Sequence, residues 1–307
     1  MSLLAALLLA LHPPVPAASE QQCTPPEGWE AVEKLDPKFV IFGEIHGSVE
    51  SPAFIGDVAC GLLAQGKRIL VGIEFHATLD GQLQAAWQLP DVEFRKQLST
   101  IGWAGRTDGV ASHAMFDLLL RLHSLKDKGA AIDIVAFSGP RDIAQQVRFE
   151  RLPRQGPHEA AQAENIANAA KKAAYDVVLV LVGDFHARRR MVGEGPDQFE
   201  PMALRLAPSG RLVSLQLRHA GGTSWNCQLK PGLQLRPGDP VPADAIACGA
   251  YPVAGSADLH HAPFLQLGPG PGDAASADFD GFFWLGPLTA SPPQIPAVDM
   301  RAAPARK

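Results

Sequence analysis

Four short runs decide what this chain can fold into: KFVIFGE (38–44), RILVGIEF (68–75), IDIVAFS (132–138) and DVVLVLVGD (176–184). Each is apolar almost throughout, rich in Val and Ile, and shows little polar alternation. A strand with one face in water alternates apolar with polar residues, so a run without alternation is covered on both faces, the habit of a parallel sheet. The segments between them read as helices. SPAFIGDVACGLLAQGK (51–67) offers Ser51 as N-cap, Pro52 at the first helical position and Gly66 near the end. SHAMFDLLLRLHSLKDKG (112–129) places Met115, Leu118, Leu119, Leu122 and Leu125 along one face, sets Asp117 and Arg121 one turn apart, and stops at Gly129. The succession of strands and helices implies right-handed crossovers. It predicts a layered α/β domain with a mainly parallel central sheet flanked by helices.

Past residue 210 the texture changes. RLVSLQLRH (211–219) is one more strand, but residues 231–307 hold 13 of the 27 prolines and helical periodicity fades. This Pro/Gly-rich C-terminal part reads as short strands and ordered loops, with DGFFWLG (280–286) as a late strand. The organisation expected is a single domain over 38–290, preceded by an extension at 20–37 and followed by a loose tail at 291–307. With 307 residues, 46% hydrophobic, the chain can bury one large core or two smaller ones.

LLAALLLAL (3–11) followed by small residues in VPAAS (15–19) reads as a signal peptide over 1–19, although no Lys or Arg precedes it. The run is too short for a transmembrane span. A periplasmic or secreted location follows, and four cysteines fit an oxidising compartment. Cys227 and Cys248 flank a Pro/Gly-rich segment and are the first expected disulfide, leaving Cys23 with Cys60. No CxxC spacing supports a zinc site. A net charge of -5 gives no basic footprint, so nucleic acid is not an expected partner.

Function is expected at the strand ends, because ligand sites in open α/β sheets form beyond the carboxyl ends of the strands. Glu44 and His46, Glu74 and His76, and Asp184 and His186 are each separated by one residue there, so extended backbone projects each pair to one side. Carboxylates beside imidazoles ligate a divalent metal, orient a histidine that acts as general base, or set two carboxyl pKa values apart. The residue types leave these three open. Glu44 or Glu74 taken singly also reads as a helix cap or ion-pair partner, and His76 as a cap of the next helix. His113, His123, His158, His219, His260 and His261 show no matching acid and read as surface or packing residues. Arg188 and Arg141 are candidate anion contacts, whereas Ser138 lacks the glycines of a nucleophile elbow.

Taken together, GEIHG before a helix, GIE at the next strand end, GDFHARR after a later strand and the closing FDGFFWLGPLTASPP (279–293) resemble the erythromycin esterase, ChaN, Tiki and TraB superfamily over roughly 38–290. That resemblance implies an α/β fold with its site at the strand ends and points to Glu44, His46, Glu74, His186 and Arg188. The superfamily includes esterases that use a histidine-activated water, metal-dependent proteases and haem-binding lipoproteins. The expectation is therefore an exported hydrolase acting on a small-molecule or peptide substrate. Its water would be activated by a histidine or by a divalent metal held by Glu44, His46, Glu74 and His186, with His76 and Asp184 as weaker ligands. The alternative is a periplasmic haem- or iron-binding protein of the ChaN-like type. Tyr175 and Tyr251, the two tyrosines, fall outside the expected site.

Overall fold

The four apolar runs become four neighbouring strands of one sheet, the run at 132–138 forming its edge. The computed structural model describes residues 23–103, 105–230, 242, 245–270 and 278–294; the expected leader lies outside them. In chain order the strands are β1 (Phe39–Glu44), β2 (Ile69–His76), β3 (Ile132–Ser138), β4 (Val177–Gly183), β5 (Leu212–Arg218), β6 (Gly222–Leu229), β7 (Ile246–Val253), β8 (Phe264–Leu267) and β9 (Gly281–Trp284). The helices are α1 (Trp29–Glu33), α2 (Glu50–Ala64), α3 (Asp80–Trp87), α4 (Asp91–Leu98), α5 (His113–Asp127), α6 (Ile143–Phe149), α7 (Gly156–Ala170) and α8 (Met202–Leu206). The main sheet runs β3-β2-β4-β1-β5-β9-β8, parallel except for β8, and β6 with β7 forms a separate antiparallel pair.

Strand periodicity explains the missing polar alternation. Val40 and Phe42 of β1, with Leu179 and Leu181 of β4, face a core filled by α2 and α5 through Ile55, Val58, Leu119 and Leu122. Phe39 and Ile41, with Val178, Val180 and Val182, face a second core closed by Ile166 of α7 and Met202 and Leu206 of α8. Both faces are covered, and every residue of β1 and β4 is buried. Each such side chain contributes roughly 1.5–3 kcal/mol of transfer free energy.

Some local expectations shift. α2 starts at Glu50, and Ser51 is not its cap: Ser48 Oγ accepts the Ser51 N–H at 3.3 Å, so the hydroxyl that turns back on the backbone is supplied three residues earlier. α5 follows its expected course, with Ser112 Oγ accepting the Met115 N–H. Arg121 turns away from Asp117 and pairs with Asp57 of α2 at 2.7 Å, clamping the two helices.

The C-terminal part is integral to the sheet. β9 lies parallel to β5 and β8 closes the edge. Residues 291–294, where a loose tail was expected to begin, are anchored: Ser291 N–H bonds Gly47 O, and Gln294 N–H bonds Ala111 O. Residues 295–307 lie outside the described residues. At the other end, the Leu265 N–H donates to Glu27 O, Trp29 is buried, and a Cys23–Cys60 disulfide fastens the extension to α2. The second disulfide, Cys227–Cys248, joins directly opposed residues of β6 and β7. Both pairings are those expected from the sequence. No described helix is long and apolar enough to cross a membrane.

Candidate functional site

Three adjacent strands carry the site. β4 lies between β2 and β1, so the C-terminal ends of all three open onto one rim. Glu44 ends β1, Glu74 sits two residues before the end of β2, and Gly183 ends β4. The Gly183 N–H donates to Glu74 Oε2 at 2.8 Å, which fixes that carboxylate across the sheet. Gly183 also makes room: a Cβ on it would stand 2.9 Å from His46 Nε2. Beyond it the chain turns tightly, with the His186 N–H on Gly183 O and the Ala187 N–H on Asp184 O, and this folds His186 back over the rim.

The result is an alternating chain of acids and imidazoles. Glu44 Oε1 lies 2.9 Å from His46 Nδ1, and His46 Nε2 lies 3.2 Å from Glu74 Oε2. Glu74 Oε1 stands 3.6 Å from His186 Nε2, and His186 Nδ1 is 2.7 Å from Glu159 Oε1. Glu159, on α7, is fully buried, and its other oxygen accepts the Met202 N–H at 2.7 Å. His46 is the most exposed member, with 29% of its side chain open to solvent against 16% for His186.

This geometry sets the protonation. Burial alone would lower the His46 pKa, but the Glu74 charge, reinforced by Glu44, outweighs it and holds the value well above 6.5. Burial would raise Glu74, yet the adjoining His46, with the His186 charge and the Gly183 N–H, more than offsets it and brings the carboxyl down to about 2. His186 is also raised: burial is overcome by the hydrogen bond to Glu159 and the charge of Glu74. His158, one residue before Glu159, has its ring 5.8 Å from that of His186 and is lowered by burial and by the His186 charge.

Of the sequence-predicted residues, Glu44, His46, Glu74 and His186 thus meet. The other three lie apart from the chain. His76 is the last residue of β2, exposed, and makes no capping bond with its side chain. Asp184 holds Glu44 through its backbone N–H and is among the residues that line a cavity with Ile45, Gln216 and His219. Arg188 lays its guanidinium 5.7 Å from the Phe185 ring centre, and among the described residues no carboxylate pairs with it. Glu159 went unread in the sequence, although Glu159 and Gln162 fall at helical spacing on the same face as Ala163 and Ile166, an acid on an apolar stripe.

A divalent ion needs converging ligand atoms. Among the described residues the set of three that lies within 4.8 Å is Asp91, His123 and Asp127, on α4 and α5. The strand-end cluster does not have that spacing: both nitrogens of His46 and the Nδ1 of His186 are engaged with carboxylates. His123 is buried and paired with Asp91 at 2.6 Å, correcting its reading as a histidine without an acid. Its ring stacks 3.9 Å from Phe94, and Asp127 accepts the Asp91 N–H. These contacts anchor the start of α4 against α5.

No family model matches the chain, and no curated protein matches it in sequence. Among solved structures, a mutant of the erythromycin esterase EreC in its open conformation aligns over 85% of this chain and 94% of its own, with a TM-score of 0.61 at 12% identity. The chain has the fold of an erythromycin esterase. A succinoglycan biosynthesis protein aligns over 89% of this chain and 95% of its own, with a TM-score of 0.56 at 10% identity. ChaN of Campylobacter jejuni, solved with cofacially bound haem, reaches a TM-score of 0.36 over 61% of this chain and 84% of its own at 13% identity, too little to bear on haem binding here. Identities this low speak to the fold and leave chemistry to the site.

Proposed function

We propose that the protein is an exported hydrolase that adds water to the carbonyl of an ester- or amide-type small-molecule or peptide substrate, with Glu44, His46, Glu74 and His186 at its reacting centre. The observation that carries this reading is the alternating run Glu44, His46, Glu74, His186, Glu159 along one rim of the sheet. Such a run stores protons beside carboxylates, which is what acyl transfer to water requires. It supports proton chemistry over haem ligation, because a haem iron needs an imidazole nitrogen turned to open apolar space.

Within this reading His46 is not the histidine that activates the water. Carboxylates stand at 2.9 and 3.2 Å from its two nitrogens, so it works as an imidazolium whose two N–H groups are held by Glu44 and Glu74, and what it offers a carbonyl oxygen that gains charge is a partly exposed positive charge. Arg188, without a carboxylate partner among the described residues, serves an anionic substrate group. Export is supported by the two disulfides and by the apolar segment at residues 3–11.

The test is a screen of the disulfide-intact protein against ester, lactone and peptide libraries, followed by His46→Ala on any substrate found. The variant should lose at least about 100-fold in kcat. Equal turnover by variant and wild type would overturn the assignment.

A further inference from the structure

We infer that Glu159 is a positioning residue and that the dyad it forms with His186 takes the proton from the attacking water. This rests on the hydrolase reading above. Two histidines share Glu74, and their surroundings divide the work between them. His46 has both ring nitrogens within 3.2 Å of carboxylate oxygens. If it lost its Nε2 proton, it would turn a lone pair onto the Glu74 carboxylate, so it is a poor acceptor. His186 has one close acid: its Nδ1 lies 2.7 Å from Glu159, and its Nε2 stands 3.6 Å from Glu74, beyond direct hydrogen-bond reach. A carboxylate only accepts, so the Nδ1 carries a proton, and in the neutral ring the lone pair sits on Nε2. With 16% of the side chain open, that nitrogen can meet a water held between it and Glu74.

Glu159 is built for holding. It is fully buried, and both oxygens are engaged, one by His186 and the other by the first N–H of α8 at 2.7 Å. The ring it orients is also fixed by its edge-on packing against Phe185, with centroids 5.6 Å apart. The titratable groups facing His186 are Glu159 and His158 from α7, Glu74 from β2 and His46 beyond β1. A buried acid on the far nitrogen of a histidine fixes tautomer and direction and strengthens the near nitrogen as a base.

Water gives one proton to His186 Nε2 as its oxygen bonds the carbonyl carbon, and the carbonyl π pair moves onto oxygen beside the His46 cation. When the tetrahedral species collapses, the bond to the leaving oxygen or nitrogen breaks and that atom takes the proton back from His186 Nε2. Acid and alcohol or amine leave, and the dyad is restored.

Glu159→Gln tests the assignment, because the amide keeps one of the two acceptor oxygens and turns an NH2 donor toward either His186 Nδ1–H or the Met202 N–H. The variant should lose about 100-fold or more in kcat with KM changed less than threefold, and imidazole 15N spectra should show His186 leaving the Nδ1-protonated form. A purely structural role would lower the melting temperature and leave tautomer and kcat in place, which would overturn the inference. Should Glu159→Gln not fold, His186→Gln decides: a fall in kcat of at least about 100-fold supports the dyad, and turnover within threefold of wild type overturns it. Absence of hydrolysis by wild type would refute the hydrolase reading itself. Hydrolysis by wild type that survives in these variants would refute the dyad alone.

Discussion

Replacing His46 by Ala should cost stability as well as turnover, and the pH dependence of that cost follows from the site. The substitution leaves Glu44, 3% exposed, and Glu74, 11% exposed, without the cation between them. In the wild type His46 is the chief influence that brings Glu74 from its ordinary 4.5 down to about 2. At about 1.4 kcal/mol per tenfold that fall corresponds to ~3 kcal/mol, in the range of 3–5 kcal/mol for stripping one partner from a buried pair. Glu74 is depressed in the folded state, so its contribution is present above the unfolded value near 4.5 and is lost as pH falls toward 2. His46 is raised, so its contribution is complete below 6.5 and fades as pH climbs through the folded value. Both describe one interaction, fully developed between about pH 4.5 and 6.5.

Urea denaturation of wild type and His46→Ala with disulfides intact, at pH 3, 5.5 and 9, measures it directly. The expected deficit is about 3 kcal/mol at pH 5.5 and smaller at both extremes. Glu74→Gln introduced into His46→Ala should recover part of it by removing the stranded charge. A deficit below about 1 kcal/mol at pH 5.5, or one equal at pH 3 and 5.5, would refute the claim that His46 is an imidazolium clamped by these acids.

Two more perturbations probe the scaffold. Gly183→Ala puts a methyl group 2.9 Å from His46 Nε2 and should cut turnover at least tenfold while costing about 1–3 kcal/mol in a denaturant midpoint comparison; unchanged turnover would mean His46 need not lie against β4. Opening the Cys227–Cys248 link with two serines frees a loop of sequence separation 21 and should cost roughly 3 kcal/mol, seen as a lower melting temperature.

The layered sheet was legible because both-face burial removes polar alternation, and β1 to β4 fall where their Val- and Ile-rich runs predicted. The pairing inside the site was less so. Of the three acid-x-His pairs, Glu44 with His46 alone makes its contact within the pair. Glu74 instead reaches His46 and His186 across two strand boundaries, and His186 takes its second acid from α7. An i, i+2 reading assumes that the backbone stays extended past the strand end. After Gly183 it does not: the turn at residues 184–187 separates His186 from Asp184 and delivers it to Glu159. Strand order, which sequence does not specify, then decides that β4 lies between β2 and β1 and brings His46 and His186 to one carboxylate.

That shared carboxylate links the two histidines energetically. Glu74 favours a proton on either ring, and each proton it helps hold is disfavoured by the positive charge of the other ring, an effect present at His186 from His46. The two titrations therefore belong to the pair. With His46 as the resident cation, His186 receives a proton only against repulsion, and Glu159 is the group whose hydrogen bond offsets it. When that proton comes from a water attacking a carbonyl, total charge is unchanged. Negative charge appears on the substrate oxygen beside His46 while positive charge appears at His186 between two acids. In the proposed hydrolysis the arrangement would stabilise both ends of the charge separation at once, which a single histidine with one acid cannot do.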